Sequence, residues 1–292
     1  MTGNIISGNI VASFIKSEVK KEVENMKSKG RVIPCLATVL VGNDPASAIY
    51  VNNKQKAAAE VGICTKDHKM SSDISQNELI ELIRKLNRDP DVHGILVQLP
   101  LPQGINEADV INTINPSKDV DGLTEANAGM LFNGRASLIP CTPSGIMHLL
   151  DYYKIEVESI DAVILNRSNL VGKPLAILLL QRNASVMICH SKTKNLIDKI
   201  KSADLIVTAV GNRERFALSS NMIKDGAIII DVGISRLMGR PVGDVVDFES
   251  TKKKASWITP VPGGVGPMTI AMLLNNTVLA ASRENAHTEY LP

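Results

Sequence analysis

The sequence predicts an α/β protein of two domains, the second built on a doubly wound parallel sheet, and three observations carry that expectation. Apolar, β-branched runs of strand length alternate with segments of helical periodicity along the chain, which is the pattern of repeated βαβ units. The chain has 292 residues, more than one hydrophobic core usually serves. Between Pro100 and Pro143 the segments "LPLPQG", "NPSKDVDGL" and "IPCTPSG" crowd prolines and glycines together and exclude long regular elements, so the domain connection belongs there.

The elements follow in order. A helix is expected over 7–29, ended by Gly30, and "RVIPCLATVLVG" then reads as a buried strand. A helix containing "ASAIYVNNKQKAAAEVGI" comes next, then a short strand near 62–68, a helix over 76–87 and the buried strand "GILVQLP". After the Pro/Gly-rich connection, a helix over 144–153 leads into a second series. It comprises strand "DAVILN", a helix from Val171, strand "ASVMICH", a helix near Leu196, then strands "DLIVTAV" and "GAIIIDVG". A last helix, from about Met268, follows "PVPGGVGP". The expected domains are 1–139 and 140–267, with the terminal helix 268–292 packing back on the first.

Composition narrows the function. A formal net charge of +2 and an aromatic content of 3% offer neither the electrostatic footprint nor the stacking surface that nucleic-acid binding needs. Cys35, Cys64, Cys141 and Cys189 form no C-x-x-C pair, which argues against a structural zinc site or a disulfide framework and fits a reducing cytoplasm. No metal is expected. The N-terminus spaces its apolar residues helically among lysines, unlike a signal peptide, and no later run is expected to reach membrane-spanning length.

In the second series the first strand-to-helix turn is "NRSNLVGKP", Asn166 to Pro174, where a dinucleotide-binding domain normally carries G-x-G-x-x-G. The glycine fingerprint is absent, yet the context is right: Gly172 allows close helix packing, and Asn166 is a side chain that tolerates positive φ. The next strand ends in "CHSKT" with no carboxylate for a ribose hydroxyl, whereas Arg167, Ser191 and Lys192 offer charge and donors suited to a 2′-phosphate. NADP is therefore expected over NAD. Gly211 and Gly233 end later strands and are expected to let a cofactor approach the backbone. In the first series, Tyr50 and Lys54 stand one helical turn apart, so a ring and an amine share one face; alone, this pair reads first as a snorkelling lysine beside a half-buried tyrosine.

Taken together, "VGNDPASAIYVNNKQKAAAEVGI", "GILVQLPLP", "KDVDG", "PCTPSG", "RSNLVGKP", "CHS", "DVGI" and "TPVPGGVGPMT" resemble, in order and approximate spacing, the bifunctional methylenetetrahydrofolate dehydrogenase/cyclohydrolase family. The resemblance implies two α/β domains flanking a cleft, folate bound mainly by the first and NADP by a Rossmann-like second, in a cytoplasmic homodimer. It implies oxidation of 5,10-methylenetetrahydrofolate to the methenyl cation with NADP, then hydrolysis to 10-formyltetrahydrofolate. By motif, Lys54 resembles the residue central to hydrolysis, Gln98 the group that positions it, Tyr50 a ring against the folate and Asp121 the carboxylate on the pterin edge. Pro262 and Gly263 resemble a loop bordering that pocket, and Asn166, Arg167, Ser168, His190, Ser191, Gly211, Gly233 and Ile234 the cofactor contacts. The competing readings are a generic NADP dehydrogenase and a non-catalytic folate or nucleotide binder. Three segments depart from the family pattern: Asn166 replaces a glycine, "GNRERF" lacks a proline, and "GDVVDF" is one residue longer than the common form. Glycine at position 166 is expected to tighten dinucleotide binding or leave it unchanged.

Overall fold

The computed structural model describes residues 3–237 and 239–288. Two compact units are distinguished by their internal contacts. One comprises Ser13–Cys141 with the segment from Ile270, the other the N-terminal residues through Ala12 with Thr142–Thr269.

The chain opens with β1 (Asn4–Ile5) and α1 (Gly8–Ser28), then runs β2 (Cys35–Val41), α2 (Pro45–Glu60), β3 (Cys64–Met70), α3 (Gln76–Arg88) and β4 (Gly94–Val97). Helices α4 (Glu107–Asn112), α5 (Glu125–Phe132) and α6 (Cys141–Tyr152) follow. Next come β5 (Asp161–Leu165), α7 (Gly172–Gln181), β6 (Ser185–Cys189), α8 (Leu196–Ser202), β7 (Leu205–Thr208) and β8 (Ile228–Asp231). Last are β9 (Ser235–Leu237), β10 (Arg240–Val242), α9 (Phe248–Lys254), β11 (Trp257–Ile258) and α10 (Val265–Thr288).

The first unit holds a parallel sheet in the order β3-β2-β4. Every residue of β2 and β4 is buried, as a strand covered on both faces requires, and so both read in the sequence as continuous apolar runs. Leu79, Ile83 and Leu86 of α3 pack with Val39, Ile95 and Val97 into one core. Helix α3 starts at a capping box: Ser75 Oγ accepts from the Glu78 N–H at 3.3 Å, and a Glu78 carboxylate oxygen accepts from the Ser75 N–H at 2.9 Å.

The second unit holds a six-stranded parallel sheet, β6-β5-β7-β8-β11-β1. Strand β5, next to the β6 edge, has β6 on one side and β7 on the other, so the winding reverses there, and the crevice at the carboxyl ends of these strands is where such sheets take ligands. The expected first domain, 1–139, differs from the observed grouping at its start, because β1 pairs with β11 as the edge of this sheet. The expected terminal helix 268–292 begins earlier, at Val265; residues 289–292 lie outside the described residues. Contrary to the expectation that no run reaches membrane-spanning length, Val265–Arg283 has the length and a mean hydropathy of 1.2, but 61% of that stretch is buried in the fold. Its apolar character is that of a core helix.

Candidate functional site

In the first unit, α2 is fixed at its start by Asp44, whose carboxylate accepts from the Ser47 N–H at 2.7 Å, with Pro45 in the first turn. One turn apart on this helix, Tyr50 is 43% exposed and Lys54 only 8% exposed, so the ring is open to a ligand while the amine is covered. Lys54 Nζ donates to Gln98 Oε1 at 3.1 Å. Gln98 follows β4, and its side-chain NH2 donates to the Leu99 carbonyl at 2.7 Å, which leaves the amide oxygen turned to Lys54. The expected positioning contact is thus present, and it holds the amine without a second charge.

The two aspartates of "KDVDG" have separate tasks. Asp119, 1% exposed, accepts from the Leu123 N–H at 3.1 Å, the Thr124 N–H at 2.8 Å and Asn127 Nδ2 at 2.8 Å, so it supplies the turn bracing that a D-x-D-G sequence calls for. Asp121 is half-buried and left to face Lys54 and Cys141. Burial raises its carboxyl above the ordinary range, the Lys54 ammonium opposes that, Asp119 adds to it, and a hydrogen bond with Cys141 lowers it. Burial and then Asp121 drive the Cys141 thiol well above its usual value. Two residues missed by sequence reasoning complete this corner. Cys141 lies in "PCTPSG", and Asn276, 3% exposed on α10, donates to the carbonyls of Val120 at 2.9 Å and Ile139 at 3.0 Å. The pair Asn275–Asn276 inside an otherwise apolar helical run was the available signal.

In the second unit a cavity of about 270 Å³ opens at the carboxyl ends of β5, β6 and β7, lined by Asn166, His190, Ser191, Val210, Arg215 and Phe216, among others. The expected cofactor residues Asn166, His190 and Ser191 therefore meet in one place, and Arg215 and Phe216 join them from "GNRERF". Arg167 and Ser168 lie exposed on the adjoining turn. His190 is half-buried, and its Nδ1 accepts from the Lys192 N–H at 3.2 Å. Pro262 and Gly263 also fall in this unit, whereas Lys54, Gln98 and Asp121 fall in the other; the Gly263 carbonyl accepts from the Gly8 N–H at 2.9 Å.

Two expectations need correction. Asn166 does not have positive φ. Its role is carried by the side chain: Oδ1 accepts from the Ser168 N–H at 2.7 Å and the Gly172 N–H at 3.2 Å, while Nδ2 donates to the Ala209 carbonyl at 2.7 Å. The carboxamide ties the β5–α7 turn to the end of β7, three bonds that a glycine could not make. Gly172 has the predicted close-packing role, since a Cβ there would lie 2.1 Å from the Asn166 carbonyl oxygen. At Gly233, by contrast, the space is filled from within: a Cβ would lie 2.2 Å from the Asp244 carboxyl carbon.

Asp244 is another residue that sequence reasoning missed. Fully buried, it accepts from Thr208 Oγ1 at 2.6 Å and from the N–H groups of Val210 at 2.8 Å and Gly211 at 2.9 Å. Asp231 accepts in turn from the N–H groups of Gly233, Asp244 and Val245. Burial raises the Asp231 carboxyl to about 6, against those three backbone donors and with Asp244 adding to the rise. The guanidinium of Arg213 donates to the carbonyls of Gly243 and Val245, so the segments "GNRERF" and "GDVVDF", both unusual in sequence, are joined to each other.

Comparison with known proteins decides the family. The sequence model of the tetrahydrofolate dehydrogenase/cyclohydrolase catalytic domain matches residues 6–121, and that of the NAD(P)-binding domain of the same family matches 140–285. The chain belongs to this family. It is 57% identical to the bifunctional protein FolD of Nitrosopumilus maritimus over 97% of this chain and 98% of that one. It is 51% identical to that of Moorella thermoacetica over 97% and 100%. Among solved structures, the bifunctional FolD of Campylobacter jejuni superposes with a TM-score of 0.93 at 49% identity, covering 96% of this chain and 99% of that one. The Trypanosoma brucei enzyme, solved with NADP cofactor and an inhibitor, has a TM-score of 0.92 at 36% identity over 98% and 99%.

Proposed function

We propose that this family member, a bifunctional dehydrogenase and cyclohydrolase of folate-borne one-carbon units, performs its hydrolytic step through Lys54 held by Gln98, with Tyr50 and Asp121 binding the folate. In the dehydrogenase step the methylene carbon of 5,10-methylenetetrahydrofolate gives up a hydride, which NADP, when bound, accepts. The protein's contribution to that step is positioning. In the second step water adds to the methenyl carbon, loses a proton, and the carbon–N5 bond opens to give 10-formyltetrahydrofolate. A covered amine within reach of the reacting carbon is suited to take that proton and hand it to the leaving nitrogen. Gln98 orients the amine, and Asp121, kept above the ordinary carboxylate range by burial, faces the same amine and offers an acceptor to the N–H groups of a pterin edge.

Residue chemistry supports NADP as the dinucleotide: Arg167, Ser191 and Lys192 are exposed beside the cavity, and β6 ends without a carboxylate. Ser168, His190, Gly211 and Ile234 border the cofactor in this reading. The reading extends to a homodimer in the cytoplasm, engaging neither nucleic acid nor membrane, whose 10-formyl product feeds purine biosynthesis. The resemblance to the family and the near-neutral charge support it, and light scattering of the purified protein tests the dimer.

The single observation that carries the mechanism is the covered Lys54 amine bonded to the Gln98 oxygen. Lys54→Gln removes the titratable group at nearly constant length. Hydrolysis of methenyltetrahydrofolate is expected to fall by ~100-fold or more, the range for losing a general acid–base group, while dehydrogenase turnover survives and methenyl product accumulates in a spectrophotometric assay. Hydrolysis near the parent rate in the folded variant rejects the role.

A further inference from the structure

We propose that Cys35 and Cys64 form a reversible intramolecular disulfide that staples the segment bearing the catalytic lysine. The two residues are register partners, the first pair of the β2–β3 ladder. Neighbouring strands lie about 4.8 Å apart, and register partners in a parallel pair present their side chains on the same face. That spacing falls inside the ~4.4–6.8 Å separation of Cα atoms that a disulfide accepts. Both cysteines are free thiols. Burial, and then the neighbouring Cys64 side chain, push the Cys35 thiol up to about 12.

The pair is asymmetric in exposure, so an oxidant in solution meets Cys64 first. Cys35 is buried beneath the sheet surface, whereas Cys64 is exposed on β3, the edge strand. Cys141 and Cys189, both buried, lie in other elements and serve as internal controls. The oxidant named here is a small disulfide such as oxidised glutathione. The Cys64 thiolate attacks it and releases one small thiol, leaving a mixed disulfide. The Cys35 thiol then gives up its proton and attacks the Cys64 sulfur, forming the protein disulfide and releasing the second small thiol. Two protein thiols are oxidised by two electrons and one small disulfide is reduced to two thiols.

The topology gives the bond its consequence. Between Cys35 and Cys64 the chain contains the whole of α2, including Tyr50 and Lys54. The disulfide closes this β2–α2–β3 unit at the strand ends away from Gln98, and it confines the same stretch in the unfolded chain, which raises stability. The proposal does not depend on the folate assignment, because its readouts are thiol count and covalent connectivity.

The test uses the full chain, incubated with oxidised glutathione and then freed of it. Titration under denaturing conditions is expected to find two thiols where the reduced protein has four. Peptide mapping should find Cys35 linked to Cys64, and Tm should rise by about 5–10 °C. Dithiothreitol should restore all four thiols. Cys141→Ser should leave the 35–64 linkage in place, and Cys64→Ser should abolish it. Persistence of all four thiols, a stable glutathione adduct on Cys64 that Cys35 does not displace, or a linkage between other cysteines overturns the proposal.

Discussion

The two functional regions use their polar side chains in opposite ways. Around Lys54, backbone support is delegated to Asp119 and Asn276, and the groups with chemistry to offer, Lys54, Asp121 and Tyr50, remain turned to one another or to open space. Around the dinucleotide cavity, Asn166, Asp231, Asp244 and Arg213 are themselves the support, each closing two or three bonds to backbone groups. Short motifs point to the first kind of site, whose groups are left without structural duties. They say less about the second kind, because a residue in a binding motif can be holding the loop and not the ligand.

The contrast yields three experiments. Arg167 is an exposed cation beside the cavity, as Lys192 and Arg215 are, and its removal should act on the ligand alone. Arg167→Ala is expected to weaken NADP by about 1–3 kcal/mol, with a smaller loss for NAD, read as the ratio of the two KM values. Equal losses would move the 2′-phosphate to another group.

Asp231 should act on the scaffold. Its carboxyl titrates near 6 in the folded protein against an ordinary value of 3.8, so the native state binds the extra proton between those values. Stability contributed by that proton is complete below pH ~4 and is lost as pH rises through ~6, amounting to about 3 kcal/mol. Urea midpoints measured from pH 4 to 7 should show that decline on top of the other titrations, and Asp231→Asn should flatten it. An unchanged slope in the variant rules out Asp231 as its source.

Asn166→Gly should have the smallest effect and the most telling sign. It deletes a donor and an acceptor that together serve three backbone groups, so binding of NADP and NAD should weaken equally by about 1–2 kcal/mol, with folate KM and hydrolysis unchanged. Tighter binding of either dinucleotide would return Asn166 to the role of a mere replacement for glycine.

What the sequence discloses follows from how local each signal is. Strands β2, β4, β5, β7 and β8 are runs of apolar residues and were legible as such. Strands β1 and β11 have two residues each, too few for any periodicity, and are held by partners distant in sequence, β11 by β8 and β1 by β11. Helices α4 and α5 hid in the Pro/Gly-rich connection, although Asn106 and Thr124 stand at their starts as capping residues, each accepting a backbone N–H. The Lys54–Gln98 contact joins two motifs whose pairing the family resemblance supplied. The Asn166–Ala209 and Asp244–Val210 bonds join positions more than thirty residues apart that no local pattern connects.

The pairing of β1 with β11 also bears on how the chain is made. Asn4 and Ile5 leave the ribosome about 250 residues ahead of their partners Trp257 and Ile258. At roughly 5–20 residues per second, the N-terminal strand waits about 10–50 s before its place in the sheet exists. During vectorial synthesis that short segment has no ladder to join, and an edge that stays two residues long offers a nascent neighbour little to pair with while it waits.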